Sequence, residues 1–227
     1  MTIRVMLADD QALLRETFRM LIDSCDDMKV VAEAADGRQA VELARGHRPD
    51  VVIMDIRMPG TDGLAATASL CAQRELTGTR VIILTTFETD EYVARAIWAG
   101  ASGFLGKDIG ASDLLTAIRT VAAGNALLSP NATRALIARF LATPELDANN
   151  RLASPDQLAV LTIREREAMA LAAGGHSNEE IAARLVISPL TVRTHLHHAM
   201  AKLNVRDRAQ LVVIAYQSGL VQATPRH

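Results

Sequence analysis

A chain of 227 residues is long enough for one or two domains. With 49% hydrophobic and 22% charged residues it has ample material for a core, which excludes a disordered chain, and with only 3% aromatics that core must be built from Leu, Val, Ile, Ala and Met. The formal net charge of −2 hides an asymmetry: residues 1–124 hold 13 Lys+Arg against 18 Asp+Glu, residues 125–154 hold 3 against 2, and residues 155–227 hold 8 against 6 with five of the six His, so an acidic front and a mildly basic back predict two different partners.

Residues 3–8 (IRVMLA) read as a short apolar strand ending in Asp9-Asp10. Residues 12–22 follow with helical spacing, Leu14, Phe18 and Leu21 on one face. A second strand covers 28–34, and a helix over 37–44 turns Ala40, Val41 and Ala44 inward. Residues 51–54 (VVIM) run straight into Asp55, with Pro49 before and Pro59-Gly60 after, as expected for a strand buried on both faces of a parallel sheet. A helix over 63–72, a strand over 80–85, a helix over 90–98 and a short strand over 103–105 come next. A helix over 112–122 carries Leu115, Ile118 and Val121 on its apolar face and stops at Gly124. Strands alternating with helices predict a doubly wound parallel sheet, and five βα units in ~125 residues fit one flavodoxin-like domain with strand order 2-1-3-4-5.

After Gly124 the strand signals stop. Ser129-Pro130 opens a helix to about residue 141, and the polar stretch 143–150 (TPELDANN) reads as an exposed linker. The predicted division is therefore a first domain over 1–124, a linker helix and exposed linker over 125–154, and a second domain over 155–227. From 162 onward the pattern is all helical. Thr162 with Glu165 makes a capping box for a helix to 173, ended by Gly174-Gly175. Ser177 caps 178–185, Val186-Ile187 is a tight turn, and Ser188-Pro189 opens a helix to 203 with Asn204 as its αL terminator. Asp207 caps the last helix, 208–217. Four short helices with a tight turn between the second and third are a helix-turn-helix candidate.

Cys25 and Cys71 are too few for a disulfide framework, the first residues show no secretory leader, and no apolar stretch reaches the ~18 residues that span a bilayer. The expectation is a cytoplasmic protein with no membrane partner.

The chemistry sits at strand ends. Asp9 and Asp10 end the first strand and Asp55 the third, and in a 2-1-3-4-5 sheet these strands are neighbours at the switch point where such folds bind ligands. Three carboxylates there repel unless a cation joins them, and an all-oxygen set favours Mg²⁺. Thr85 ends the fourth strand and Lys107 follows the fifth, adding a hydroxyl and an ammonium at the same edge. Together they form a site for a phosphoryl group, with Asp55 as nucleophile and Lys107 as charge partner. The plainer reading is that each Asp only caps the helix that follows it; five polar residues at the ends of four strands count against it.

These residues resemble a known family. Asp9-Asp10, Asp55 with Met58-Pro59-Gly60 and Asp62-Gly63, Thr85, then Gly100-Ala101-Ser102-Gly103-Phe104 and Lys107 are similar in order and spacing to the receiver domain of bacterial two-component response regulators. The resemblance implies that a histidine kinase phosphorylates Asp55. It implies that Asp10, Asp55 and the Arg57 carbonyl hold Mg²⁺, with Asp9 assisting through water. Thr85, Thr86, Phe104 and Lys107 would bind the phosphoryl group or switch in response to it. Phe104 stands where many relatives have Tyr, and Gly106 where an aliphatic residue is usual.

The C-terminal part resembles the LuxR-type helix-turn-helix of the NarL/FixJ group, through Leu161-Thr162-Ile163-Arg164-Glu165-Arg166-Glu167, Ser177-Asn178-Glu179-Glu180-Ile181-Ala182, Ile187-Ser188-Pro189-Leu190-Thr191-Val192-Arg193-Thr194-His195 and Lys202-Leu203-Asn204. The recognition helix is then 189–203. Val192, Leu196, Ala199 and Leu203 keep to its inner face, and Arg193, Thr194, His197 and His198 project outward near its N-terminal half. Arg193 suits a guanine and Thr194 a thymine methyl, while Ser188, Thr191 and Lys202 suit phosphates. His195, His197 and His198 lack the i, i+4 pairing of helical zinc sites, which argues against metal, and His195 is expected half-buried. A net charge of +2 on 155–227 is weak for one module on DNA, so a homodimer on two half-sites is expected. The apolar last helix offers Val212 and Tyr216 as its seam, unless that helix merely closes the bundle.

The sequence thus predicts a non-enzymatic response regulator that is phosphorylated on Asp55 by a cognate histidine kinase and binds double-stranded promoter DNA. A phosphohydrolase would need an acid two residues after Asp55, and that position is Arg57. A DNA-binding protein with a vestigial receiver would not need the intact acidic set.

Overall fold

The sheet is five-stranded and parallel, in the order β2-β1-β3-β4-β5: β1 Ile3–Ala8, β2 Met28–Ala34, β3 Val51–Met54, β4 Arg80–Thr85 and β5 Gly103–Gly106. The structure is a computed structural model and describes residues 2–86, 90–124 and 155–221. The chain divides into two compact units, Met1–Leu127 and Leu128–His227. The predicted helix over 129–141 and linker over 143–150 lie outside the described residues.

Side-chain alternation along the strands explains why they are apolar throughout. Val5, Leu7, Val51, Ile53, Ile82 and Leu84 face one core, which Ile22 of α1 (Ala12–Asp23) and Leu114, Ile118 and Val121 of α5 (Ala111–Ala122) complete. Met6, Ala8, Val52, Met54, Val81 and Ile83 face the other. That core is covered by α2 (Gly37–His47), α3 (Gly63–Ala72) and α4 (Asp90–Trp98) through Ala40, Ala44, Leu64, Ala66, Leu70 and Ala96. The doubly wound architecture expected from the sequence is present.

Differences are local. Helix α2 runs three residues past the predicted 44, with Arg45 in its last turn, where a cation favours the helix dipole; Arg48 closes it in the αL region at φ 44. The buried row of α5 is Leu114, Ala117, Ile118 and Val121, so Leu114 joins the predicted face and Leu115 is only half-buried. Short 3₁₀ turns at Arg74–Leu76 and Pro155–Val160 carry no apolar period that a sequence pattern could reveal.

The second unit holds α6 (Ile163–Ala173), α7 (Asn178–Leu185), α8 (Pro189–Leu203) and α9 (Arg208–Gln217). The expected capping box of Thr162 with Glu165 forms, Ser177 makes a second one with Glu180, and Asp207 caps α9 through the Gln210 amide. Asn204 terminates α8 in the αL region at φ 54. Among the described residues no helix is long and apolar enough to cross a membrane.

Candidate functional site

The backbone brings Asp9, Asp10 and Asp55 together because β1 and β3 are hydrogen-bonded neighbours. The pairing ends with Ala8 opposite Met54, and the Asp55 amide donates to the Ala8 carbonyl at 2.8 Å. The three side chains each place one carboxylate oxygen within 4.8 Å of the others. Asp9 and Asp55 are buried and Asp10 is exposed. Lys107 follows β5, where its amide donates to the Thr85 carbonyl at 2.9 Å. Its ammonium lies 2.6 Å from Asp9 Oδ2 and 3.2 Å from Asp55 Oδ2, and its side chain is only 8% exposed. Burial pushes the Asp55 carboxyl above its ordinary value; Lys107 pulls it back and Asp9 adds to the rise. The three carboxylates gather oxygen donors and negative charge at one point, which suits a hard divalent ion such as Mg²⁺.

Thr85 is buried at the end of β4, opposite Gly106 in the register and so one residue from Lys107. Thr86 is exposed. Phe104 is half-buried and packs on the core beneath α2, α3 and α4, together with Tyr92. The side chain of Arg57 is exposed.

Three further groups support this pocket, and of these only Gly63 belongs to the residues that carry the family resemblance. Arg15 donates to the Asp9 carbonyl at 2.6 Å and pairs with Glu33 at 3.3 Å, tying α1 and β2 to the acidic loop. Gly63 leaves no room for a side chain, since a Cβ there would lie 1.9 Å from the Asp55 carbonyl oxygen. A Cβ on Gly37 would lie 2.4 Å from the Thr61 carbonyl oxygen, on the loop that leads into α3. The need of a glycine for space leaves no signal of its own in a single sequence, and neither does an arginine whose partner is a backbone carbonyl.

In the helical unit Val192, Leu196 and Ala199 are the buried residues of α8. Arg193, Thr194, His197 and His198 are exposed, Thr191 and His195 half-buried. Ser188 caps α8 through the Thr191 amide at 3.1 Å, and its hydroxyl lies 2.8 Å from that of Thr191. Val186 ends α7 in the αL region at φ 57, ψ 49, a conformation that strains a β-branched residue, and it is 88% exposed. Val186→Asn will therefore stabilise the helical unit by about 1 kcal/mol. An unchanged or lower urea midpoint would refute that account.

One expectation is corrected by the helical unit. Val212 and Tyr216 are 1% and 6% exposed, and the Tyr216 hydroxyl donates to the Ala173 carbonyl at 3.0 Å. They belong to the interior of the bundle and cannot form a dimer seam. Lys202 pairs with Glu165, its ammonium 2.7 Å and 2.9 Å from the two oxygens of a residue only 3% exposed, while its own side chain stays 38% exposed.

Comparison with known proteins places both units. Residues 5–119 match the response regulator receiver domain family, and residues 159–215 match the bacterial regulatory proteins of the luxR family. The transcriptional regulatory protein YxjL of Bacillus subtilis (strain 168), described as uncharacterized, is 41% identical over 220 residues, covering 97% of this chain and 98% of that protein. The oxygen regulatory protein NreC of Staphylococcus carnosus (strain TM300) is 36% identical over 219 residues, covering 96% and 99%. The crystal structure of ChrA, the response regulator of a heme-sensing two-component system, superposes with a TM-score of 0.50 at 38% identity, covering 97% of this chain and 99% of that one. The acidic strand-end pocket and the helix-turn-helix are thus the two halves of one recognised architecture, and the chain belongs to the two-component response regulators that join a receiver domain to a LuxR-type DNA-binding domain and act as transcription regulators.

Proposed function

We propose that Asp55 accepts a phosphoryl group from the phosphohistidine of a cognate kinase, and that this controls binding of α8 to promoter DNA. The observation that carries it is the Lys107 ammonium set 2.6 Å from Asp9 and 3.2 Å from Asp55 in a cluster of three carboxylates at the carboxyl edge of the sheet. An Asp55 oxygen attacks phosphorus, the P–N bond breaks, and the histidine leaves with its electron pair. Lys107 neutralises charge that passes to the phosphoryl oxygens. Thr85 would bond one of those oxygens, with Thr86 beside it, and Phe104 would repack behind Thr85. Asp10, Asp55 and the Arg57 carbonyl would hold Mg²⁺, with Asp9 reaching it through water. The ion would offset negative charge on the pocket and on the incoming phosphoryl group. Arg57, two residues after Asp55, is too weak an acid to protonate a leaving group, which argues against turnover of an external substrate.

On the output side, Arg193, Thr194, His197 and His198 face the major groove, with Ser188 and Thr191 at the phosphates. The proposed domain limits are 1–124 for the receiver, 125–154 for the linker and 155–227 for the DNA-binding domain, in a cytoplasmic protein. A homodimer on two half-sites would supply the phosphate contacts that a net +2 domain lacks alone.

The deciding experiment measures promoter binding by wild type and Asp55→Asn after treatment with a small acyl phosphate and Mg²⁺. Wild type gains affinity and Asp55→Asn does not; equal responses remove Asp55 from the mechanism. Arg193→Ala will lose about 10- to 100-fold in specific affinity while keeping non-specific binding. Undiminished specific binding would show that Arg193 does not read a base.

A further inference from the structure

Helix α8 carries one large apolar side chain that the bundle does not use. Leu190 is 71% exposed, in the first turn of the helix after Pro189. Its carbonyl accepts the Thr194 hydroxyl at 3.0 Å, and the Val192 amide donates to the Ser188 carbonyl at 3.1 Å, so this first turn is hydrogen-bonded helix. Successive residues turn by about 100°, and the buried row of Val192, Leu196 and Ala199 sets the inward direction. Leu190 then projects within about 30° of directly outward, between Thr194 on one side and His197 on the other. Leu190, Arg193, Thr194 and His197 stand at i, i+3, i+4 and i+7 and make one continuous strip.

A leucine on the outermost line of a helix gains nothing from the fold. It can neither bond a phosphate nor donate to a base. The major-groove edge offers one apolar group, the 5-methyl of thymine. We propose that Leu190 is a specificity-determining residue that packs on a thymine methyl in the DNA half-site. The inference rests on the DNA-facing assignment of α8 above and adds to it a base contact made by hydrocarbon alone.

The test uses the full-length protein after treatment with a small acyl phosphate and Mg²⁺. Binding sites are selected from random duplex DNA, and each thymine of the selected half-site is replaced by deoxyuridine, which pairs identically but lacks the methyl. Wild type will lose about fourfold in affinity at one such thymine, the effect of about 0.8 kcal/mol for one buried carbon group at 1.36 kcal/mol per tenfold. Leu190→Ala will be indifferent to that replacement and keep its response at any thymine met by Thr194. Leu190→Gln will lose the thymine preference at that position. Circular dichroism should show all variants folded, since the side chain is exposed.

An equal uridine effect in wild type and Leu190→Ala overturns the proposal. So does a Leu190→Ala loss that is the same on thymine and uridine duplexes, which would assign the side chain to a contact between two copies of the protein. If no sequence is selected, or if Arg193→Ala binds the selected sequence normally, the DNA-facing assignment of α8 itself fails, and that result is distinct from the first two.

Discussion

A Gly63→Ala variant will lose phosphoryl uptake and about 3 kcal/mol or more of receiver stability. The methyl carbon would sit 1.9 Å from the Asp55 carbonyl oxygen, 2.8 Å from the Asp55 carbonyl carbon and 3.0 Å from the Ile56 Cα. All three are backbone atoms, so no rotamer change relieves the overlap. The Gly63 amide also donates to the Ile56 carbonyl at 2.9 Å, which folds the loop after β3 back onto itself. Relief therefore has to come from moving Asp55, the residue whose placement beside Lys107 the chemistry needs. Gly60 provides the control. It adopts φ +72, and a Cβ there would meet nothing within 4 Å, so Gly60→Ala incurs only the left-handed backbone penalty of about 1 kcal/mol. Urea unfolding and acyl-phosphate labelling separate the two. Uptake by Gly63→Ala within twofold of wild type would show that the loop yields without disturbing the acceptor.

The same loop shows what a single sequence carries and what it does not. Asp9, Asp10, Asp55, Thr85 and Lys107 are legible because each follows an apolar run, and the parallel strand order alone brings those ends to one edge. The close approach of Gly63 to Asp55 is not, because it depends on where the chain returns rather than on a local dihedral preference. Helix α9 departs from its sequence pattern for a related reason. Leu211, Val212, Val213, Ile214 and Ala215 look like more apolar surface than a small bundle needs, which points Val212 and Tyr216 outward. The bundle takes all of it: residues 211–216 are buried, and the one polar tip among them, the Tyr216 hydroxyl, finds the Ala173 carbonyl. Small units have so much surface for their volume that a helix apolar on nearly every side is what closes them. For Lys202 the helix face follows from spacing, but its partner Glu165 lies 37 residues away and no pattern announces it.

That pair carries the second large effect. Glu165→Ala will destabilise the DNA-binding unit by about 3 kcal/mol. The carboxylate is 3% exposed and accepts from Lys202 at 2.7 Å and 2.9 Å and from the Thr162 amide at 2.8 Å, so one side chain closes the N-terminus of α6 and pins the C-terminal end of the recognition helix. Truncation removes the reciprocal half of the capping box and leaves Lys202 without its partner. The effect stays at the low end for a broken buried pair because Lys202 is 38% exposed and can turn to water. A unit of this size holds only about 3–10 kcal/mol in all. The variant therefore loses much of its folded population on warming, and DNA binding falls with it although no DNA-facing residue has changed. Burial pushes the Glu165 carboxyl up, but the hydrogen bonds from Lys202 and Thr162 outweigh it and hold the group below the usual glutamate range. Its stabilisation is thus fully present above the unfolded value near 4.3 and is lost as pH falls through the lower folded value. Wild type will lose stability on acidification more steeply than Glu165→Gln, which keeps the shape but not the charge. Parallel urea midpoints for the two from pH 7 to pH 3 (roughly the span over which a glutamate titrates) would remove the ion pair from the account. The exposed Arg164–Glu167 pair, at 2.9 Å with side chains 55% and 42% exposed, is the internal contrast: Glu167→Gln will leave the midpoint essentially unmoved.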